Sequence, residues 1–273
     1  MKKPQPIPER QSLIGNRDLW DELTPVHVQS YGVDRFLAGE TWLPREILDE
    51  VGPVKGCSLL HLQCHFGLDS LAWVRQGAQV TGVDFSQKAI EAANALSRQA
   101  ALPANFICSD IYDLPQNLAG QFDIVFTSIG VLCWLKDLAR WAQIIAHYLK
   151  HGGFFYIMDG HPLLYSLNAE DNWEFYLPYF HRNSPYVWDG EGTDYMDKNY
   201  IITSTSYEWQ WAISDIINAV IDAGLKLDFF HEFSRMSEAV YPEMIEQEDG
   251  LFTLPGMPVE LPVIFSLMAH KPS

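Results

Sequence analysis

From position 54 onward, short runs of apolar residues alternate with stretches in which apolar residues recur every three or four positions. Residues 57–62 form the first run, 67–76 the first helical stretch and 79–83 the second run. Ser86 is placed to cap a helix reaching about Ala100, because its hydroxyl can accept from backbone N–H groups of the first turn. Residues 105–108, 122–127 and 154–158 read as further strands, with a helix over 137–149 and a turn at Gly152-Gly153 before the last of them. Strands that are apolar throughout are buried on both faces. The pattern therefore predicts a mostly parallel, doubly wound α/β sheet of Rossmann-like type with helices on each side.

The flanks are less regular. Residues 1–17 are expected to form a loose arm, and 18–37 one or two short helices broken at Pro25, since proline is disfavoured inside a helix. A helix over 44–51 should end at Gly52-Pro53. From 165 to 211 the periodicity stops, and thirteen of these 47 residues are Phe, Trp or Tyr. So long an unpatterned stretch inside a domain either packs on itself or serves a site. The pattern resumes with a helix over 213–222 closed by Gly224, an alternating strand at 226–233 and a last strand at 263–269. These shifts divide the chain into an N-terminal arm and helical lid (1–53), a ligand-binding core (54–160), an aromatic insertion acting as acceptor lid (161–211) and the remainder of the core (212–273).

Charge narrows the choice of ligand. With 18 basic against 35 acidic residues the formal charge is -17, which repels phosphate backbones and anionic membranes, so neither nucleic acid nor a membrane is expected as partner. Residues 159–260 carry nineteen acids and four bases; this is either a solvated face or a lid turned to a neutral or cationic small molecule. Cys57, Cys64, Cys108 and Cys133 have no C-x-x-C spacing, and the polar, proline-rich start has no apolar stretch behind it. Free thiols in a reducing compartment, and a cytoplasmic location, are the expectation. No metal is expected either. His61 and His65 straddle a strand end, and His147 and His151 sit at a helix end without an acidic or thiol neighbour.

In doubly wound sheets ligands bind outside the carboxyl ends of the strands, so the residues that follow each strand carry the chemistry. They are His61-Leu62-Gln63-Cys64-His65-Phe66-Gly67, then Gly82-Val83-Asp84-Phe85-Ser86, then Ser109-Asp110-Ile111, then Ser128-Ile129-Gly130. A carboxylate at Asp84 is placed to accept the ribose hydroxyls of an adenosine. A second at Asp110 can accept the adenine amino group, with Phe85 and Ile111 against the ring. Together with Asp123-Ile124-Val125, the turn 149–154 and the helix–strand–strand tail, these motifs resemble class I S-adenosylmethionine-dependent methyltransferases over roughly residues 54–159. The resemblance implies a seven-stranded sheet with an antiparallel last strand, S-adenosylmethionine as cofactor, and S-adenosylhomocysteine as product. The family's first loop usually reads acid-x-Gly-x-Gly-x-Gly; here those positions are His61, Gln63, His65 and Gly67, a variant similar to one bacterial small-molecule branch. It implies contacts to the cofactor from His61, Gln63, His65, Gly67, Asp84, Phe85, Ser86, Asp110, Ile111 and Ser128.

Methyl transfer from a sulfonium is an in-line displacement in which the protein supplies alignment, water exclusion and sometimes a base. The acceptor is expected over the fourth and fifth strand ends, against Tyr31, Trp134 and Asp159, with Tyr207, Trp209 and Trp211 from the insertion and His161 as general base. The reaction expected is methylation of an oxygen, nitrogen or sulfur of a small molecule. The alternative is a cofactor-binding module without transferase activity, which the altered first loop would suit. A nicotinamide oxidoreductase is disfavoured, because residues 63–68 offer one glycine where a pyrophosphate needs three.

Overall fold

The computed structural model describes residues 9–168, 173–190, 192–257 and 259–273; residues 1–8 of the expected arm lie outside them. Three helices lead in: α1 (Glu9–Ser30), α2 (Val33–Leu37) and α3 (Arg45–Val51). The alternating core follows as β1 (Ser58–Leu62), α4 (Leu68–Arg75), β2 (Gln79–Asp84), α5 (Gln87–Ala100), β3 (Asn105–Cys108), α6 (Leu114–Asn117), β4 (Phe122–Thr127), α7 (Leu138–Tyr148) and β5 (Leu149–Gly160). The described residues of the insertion hold four short strands, β6 (Leu167–Asn168), β7 (Glu174–Phe175), β8 (Tyr186–Asp189) and β9 (Thr205–Glu208). The chain closes with α8 (Ile213–Asp222), β10 (Lys226–Phe233), β11 (Ile245–Glu246), β12 (Phe252–Thr253) and β13 (Ile264–His270).

The main sheet has seven strands in the order β10-β13-β5-β4-β1-β2-β3. β1 to β5 pair in parallel, while β13 runs antiparallel between β5 and β10. Period-two alternation sends the side chains of each central strand into separate cores. Leu59, Ile124, Phe126 and Tyr156 face the layer that holds Trp73, and Leu60, Val125 and Phe155 face the layer that holds Trp141. Phe126 and Tyr156 stack with centroids 5.9 Å apart, and Trp141 meets Phe155 edge to face at 5.4 Å.

Two expectations for the N-terminus are corrected. Residues 9–17 are helical rather than loose, and α1 runs unbroken through Pro25. Proline removes one N–H, the donor that would reach the Asp21 carbonyl, but packing outweighs that loss. Leu19, Leu23, Ser12, Asn16, Thr24 and His27 on α1 are all buried. Asn16 exchanges two hydrogen bonds with the Tyr207 backbone, accepting at 2.7 Å and donating at 2.8 Å, and so fastens α1 to β9. The expected absence of pattern over 165–211 is corrected in part: Tyr186–Asp189 and Thr205–Glu208 pair as an antiparallel hairpin.

Candidate functional site

Strand polarity brings the four expected loops to one edge of the sheet, because parallel β1 to β4 end on the same side. The β1 loop keeps the backbone shape of a glycine-rich turn with only its last glycine, Gly67. Gln63, His65 and Gly67 have φ of 57°, 49° and 82°, all left-handed. For a side chain this costs roughly 1–2 kcal/mol per residue, so the surroundings must hold the loop. They do: the His65 N–H donates to Asp84 Oδ2 at 2.8 Å, and the Cys64 N–H to the Val83 carbonyl at 2.9 Å. At Gly67 a Cβ would lie 2.8 Å from the Phe106 ring, so glycine is required there on space as well as angle.

Asp84 is 8% exposed and also accepts from the Ser86 N–H at 2.9 Å; burial pushes its carboxyl up to about 6 despite these donors. Ser86 caps α5 through the Ala89 N–H at 3.0 Å, and Phe85 beside it stays half-buried. Asp110 caps the turn after β3 by accepting from the Tyr112 N–H at 2.6 Å, and burial raises its pKa. Ile111 sits in the core beneath it. Gln63 donates its amide to the Val131 carbonyl at 3.1 Å, leaving Oε1 buried and without a hydrogen-bond partner among the described residues. A buried acceptor left unpaired costs about 1–3 kcal/mol, which a ligand N–H would relieve. Unpaired Gln63 Oε1, Asp84 and Asp110 thus offer acceptors of the kind that an adenosyl group with an amino-acid tail requires.

His61 does not face that edge. Its ring is 1% exposed, with Nδ1 2.8 Å from the Ser70 hydroxyl and Nε2 3.1 Å from the Ser128 hydroxyl, and burial depresses its pKa to about 3. It braces β1 against α4 and the end of β4 as a neutral ring.

His65 opens onto a feature absent from the sequence reading. His65 Nε2 lies 2.9 Å from His27 Nδ1, and His27 Nε2 lies 2.9 Å from Asp194 Oδ2. Asp194 Oδ1 accepts from the Met196 and Asp197 N–H groups, both at 2.9 Å. Because the carboxylate only accepts, His27 carries its proton on Nε2 and accepts at Nδ1. His65 must then carry its proton on Nε2, and its Nδ1 lone pair has no partner among the described residues. Burial lowers the pKa of both rings, His65 well below the ordinary value and with His27 adding to the effect. Trp20 packs edge-on to His65 at 5.0 Å and to Trp134 at 5.4 Å. Tyr31 packs against Phe66 and His65 and bonds to the Tyr195 hydroxyl. Trp20 and His27 on α1, and Tyr31 directly after it, follow one another at spacings of seven and four, a signal legible in the sequence; nothing in the sequence pointed to Asp194 or Tyr195.

The remaining expected residues separate. Asp159 is 1% exposed and accepts from the N–H groups of Gly130, Val131, Leu132 and Gly160, so it holds the turn after β4 instead of lining an open floor. Trp134 lies on that turn, donating to the Gly130 carbonyl at 2.8 Å. Tyr207 is buried against α1 and accepts from Gln11 at 3.1 Å. Trp209 and Trp211 border a surface groove of about 710 Å³ with Lys136, Arg140 and Asp215, and Trp211 stacks on His181 at 3.7 Å. Both nitrogens of His161 are occupied, Nδ1 by the Leu163 N–H at 3.1 Å and Nε2 by Glu232 at 2.9 Å, so this ring has no free lone pair to act as a base.

Comparison with known proteins agrees with this geometry. Residues 60–157 match the family described as a methyltransferase domain. Over 111 residues the chain is 26% identical to the ubiquinone biosynthesis O-methyltransferase of Chromobacterium violaceum, covering 41% of this chain and 47% of that one. The enzyme of the same name from Coxiella burnetii is 37% identical over 100 residues, 37% of this chain and 42% of that one. The chain therefore aligns with less than half the length of these curated relatives. An S-adenosylmethionine-dependent methyltransferase structure from Mesorhizobium loti superposes with a TM-score of 0.59 at 19% identity, covering 86% of this chain and 100% of that one. The glycopeptide N-methyltransferase MtfA complexed with sinefungin gives 0.56 at 15%, covering 84% and 85%. These superpositions show a shared fold.

Proposed function

We propose that this chain is a methyltransferase that moves the methyl group of S-adenosylmethionine onto a nucleophilic atom of a small acceptor, an oxygen before a nitrogen or sulfur. The observation that carries the reading is the set of acceptors at the strand ends, Gln63 Oε1, Asp84 and Asp110, on a sheet of methyltransferase order. Asp84 would hold the ribose hydroxyls, Asp110 the adenine amino group, and Gln63 the amino-acid tail. The bound cofactor supplies an activated methyl group on a sulfonium.

The chain's own part is alignment, exclusion of water and removal of a proton. Trp20, Tyr31 and Trp134 roof the edge with aromatic faces, which attract cations and shed water. His65 Nδ1, which burial leaves a weak base, would take the acceptor's proton late, once the new bond to carbon has made that proton strongly acidic. His27 and Asp194 hold His65 in the tautomer that can do so. His161, expected as the base, is not part of this assignment. An oxygen acceptor is favoured because the curated relatives are named O-methyltransferases.

Calorimetric titration with S-adenosylmethionine, S-adenosylhomocysteine and NADH tests the cofactor assignment. Binding of the two adenosyl compounds and silence of NADH is the expected result. Silence of all three would overturn it.

A further inference from the structure

The segment that leads from β9 into α8, residues 209–212, sets two indoles between two spaces. Trp209 and Trp211 line the outer groove of about 710 Å³, which falls in the size range of small-molecule sites. Both also line an inner hollow of about 10 Å³, bounded by Cys133, Gly160, Pro162 and Tyr165. A space of that size holds about one water-sized atom. The indoles are therefore the wall that groove and hollow share.

That wall is fastened at each residue. The Trp209 backbone N–H donates to the Cys133 carbonyl at 2.7 Å, and the Trp211 indole N–H to the Leu135 carbonyl at 2.9 Å. Between them, the Gln210 amide donates to the Pro162 carbonyl at 2.7 Å, and the Gln210 carbonyl accepts from His181 Nδ1 at 2.9 Å. His181, held in this way, covers one face of Trp211. An aromatic wall already fixed in place binds a flat ring with little further ordering. The groove carries Lys136 and Arg140 against Asp137, Asp215 and Asp222, so opposite charges nearly cancel and no strongly charged ligand is selected.

The hollow supplies a polar end. Gly160 closes β5, and a Cβ added to it would strike the hydroxyl oxygens of both Tyr165 and Tyr241, so the two phenols converge over this residue. Tyr241 Oη is buried and has no hydrogen-bond partner among the described residues. Burial raises the pKa of both phenols, so both keep their protons as donors. A buried hydroxyl left unpaired is costly, and a ligand oxygen seated beside Tyr165 would relieve that cost.

We infer that the groove binds a neutral aromatic ring bearing an oxygen substituent, a phenol in its simplest form, with the ring against Trp209 and Trp211 and the oxygen in the hollow at Tyr165 and Tyr241. This site is separate from the strand-end acceptors Gln63, Asp84 and Asp110 and does not depend on the cofactor assignment.

The test titrates the full chain with the naphthols and with naphthalene, which lacks only the hydroxyl, and follows tryptophan fluorescence. At least one naphthol should bind about threefold to tenfold more tightly than naphthalene, the size of one neutral hydrogen bond. Tyr165→Phe should remove that advantage and leave naphthalene and S-adenosylhomocysteine affinities unchanged. Tyr241→Phe should reduce it, and decides the matter if Tyr165→Phe fails to fold. Trp211→Ala should weaken naphthol and naphthalene alike. Equal affinity of naphthol and naphthalene for the wild type would overturn the inference, as would a hydroxyl advantage that survives in both tyrosine variants. Loss of naphthalene together with naphthol in those variants would make the phenols structural and overturn it too. A chain that binds naphthol as expected but no adenosyl compound would uphold this site while sinking the cofactor assignment, so the two fail separately.

Discussion

Several side chains at the strand ends titrate away from their ordinary values, in opposing directions. His61 is pushed down to about 3 by burial, while burial pushes Asp84 and Asp159 up to about 6. A histidine whose folded pKa lies below its unfolded value stabilises the protein above the unfolded pKa. That contribution is lost as pH falls toward the folded one. The two carboxylates act in the other sense, their contribution being full at low pH and lost as pH rises through about 6. Between pH 7.5 and 5 the His61 contribution amounts to ~2 kcal/mol of lost stability, against a gain of ~1 kcal/mol for each carboxylate. His27 and His65, also shifted down, add to the loss. In urea unfolding, His61→Gln, though less stable at neutral pH, should therefore lose ~2 kcal/mol less stability than the wild type between pH 7.5 and 5. A His61→Gln curve parallel to the wild type would mean that the ring is not buried neutral.

At the scale of elements, α1 and α5 are joined at a single cap. Ser86 accepts from the Ala89 N–H at 3.0 Å and donates to Asp21 Oδ1 at 2.5 Å, while the Lys88 N–H reaches the same oxygen at 3.1 Å. The carboxylate of one helix thus sits at the positive end of another, a favourable place for negative charge. Ser86→Ala removes both the N-cap and the link to α1. It should cost about 1–2 kcal/mol, within the range for lost caps, measured as a shift in the urea midpoint at unchanged slope. Asp21→Ala should cost less, because Ser86 still caps α5. The reverse order of effects would place the stabilising interaction in α1 and not in the cap.

Across the whole molecule, the chain Asp194, His27, His65 joins three segments far apart in sequence: the insertion, the N-terminal helix and the cofactor loop. His27 and Asp194 are both 0% exposed, so removing one leaves the other buried and poorly satisfied. In His27→Ala, amide exchange should accelerate together in α1 and in residues 192–208, as one cooperative unit, while β1 to β5 stay protected. Hydrogen exchange read by mass spectrometry distinguishes this from independent fraying, in which only α1 would respond.

The sheet was legible in the sequence because apolar runs of strand length alternate with helical periods, and this depends only on neighbours along the chain. The placement of Asp84, Asp110 and Gly67 was legible for the same reason, since residues at or just after the ends of parallel strands share one edge of the sheet. The passage of α1 through Pro25 was not, because local propensity was outweighed by burial of Leu19 and Leu23 and by the Asn16 bonds to β9. Nor was the sorting of the histidines. Sequence spacing could not show that His61 turns inward to two hydroxyls, that His161 has both nitrogens taken, or that His65 meets His27 and Asp194. What a titratable ring does depends on which groups the fold brings within 3 Å of each nitrogen, as in the 2.9 Å contacts of His27, and only long-range packing decides that.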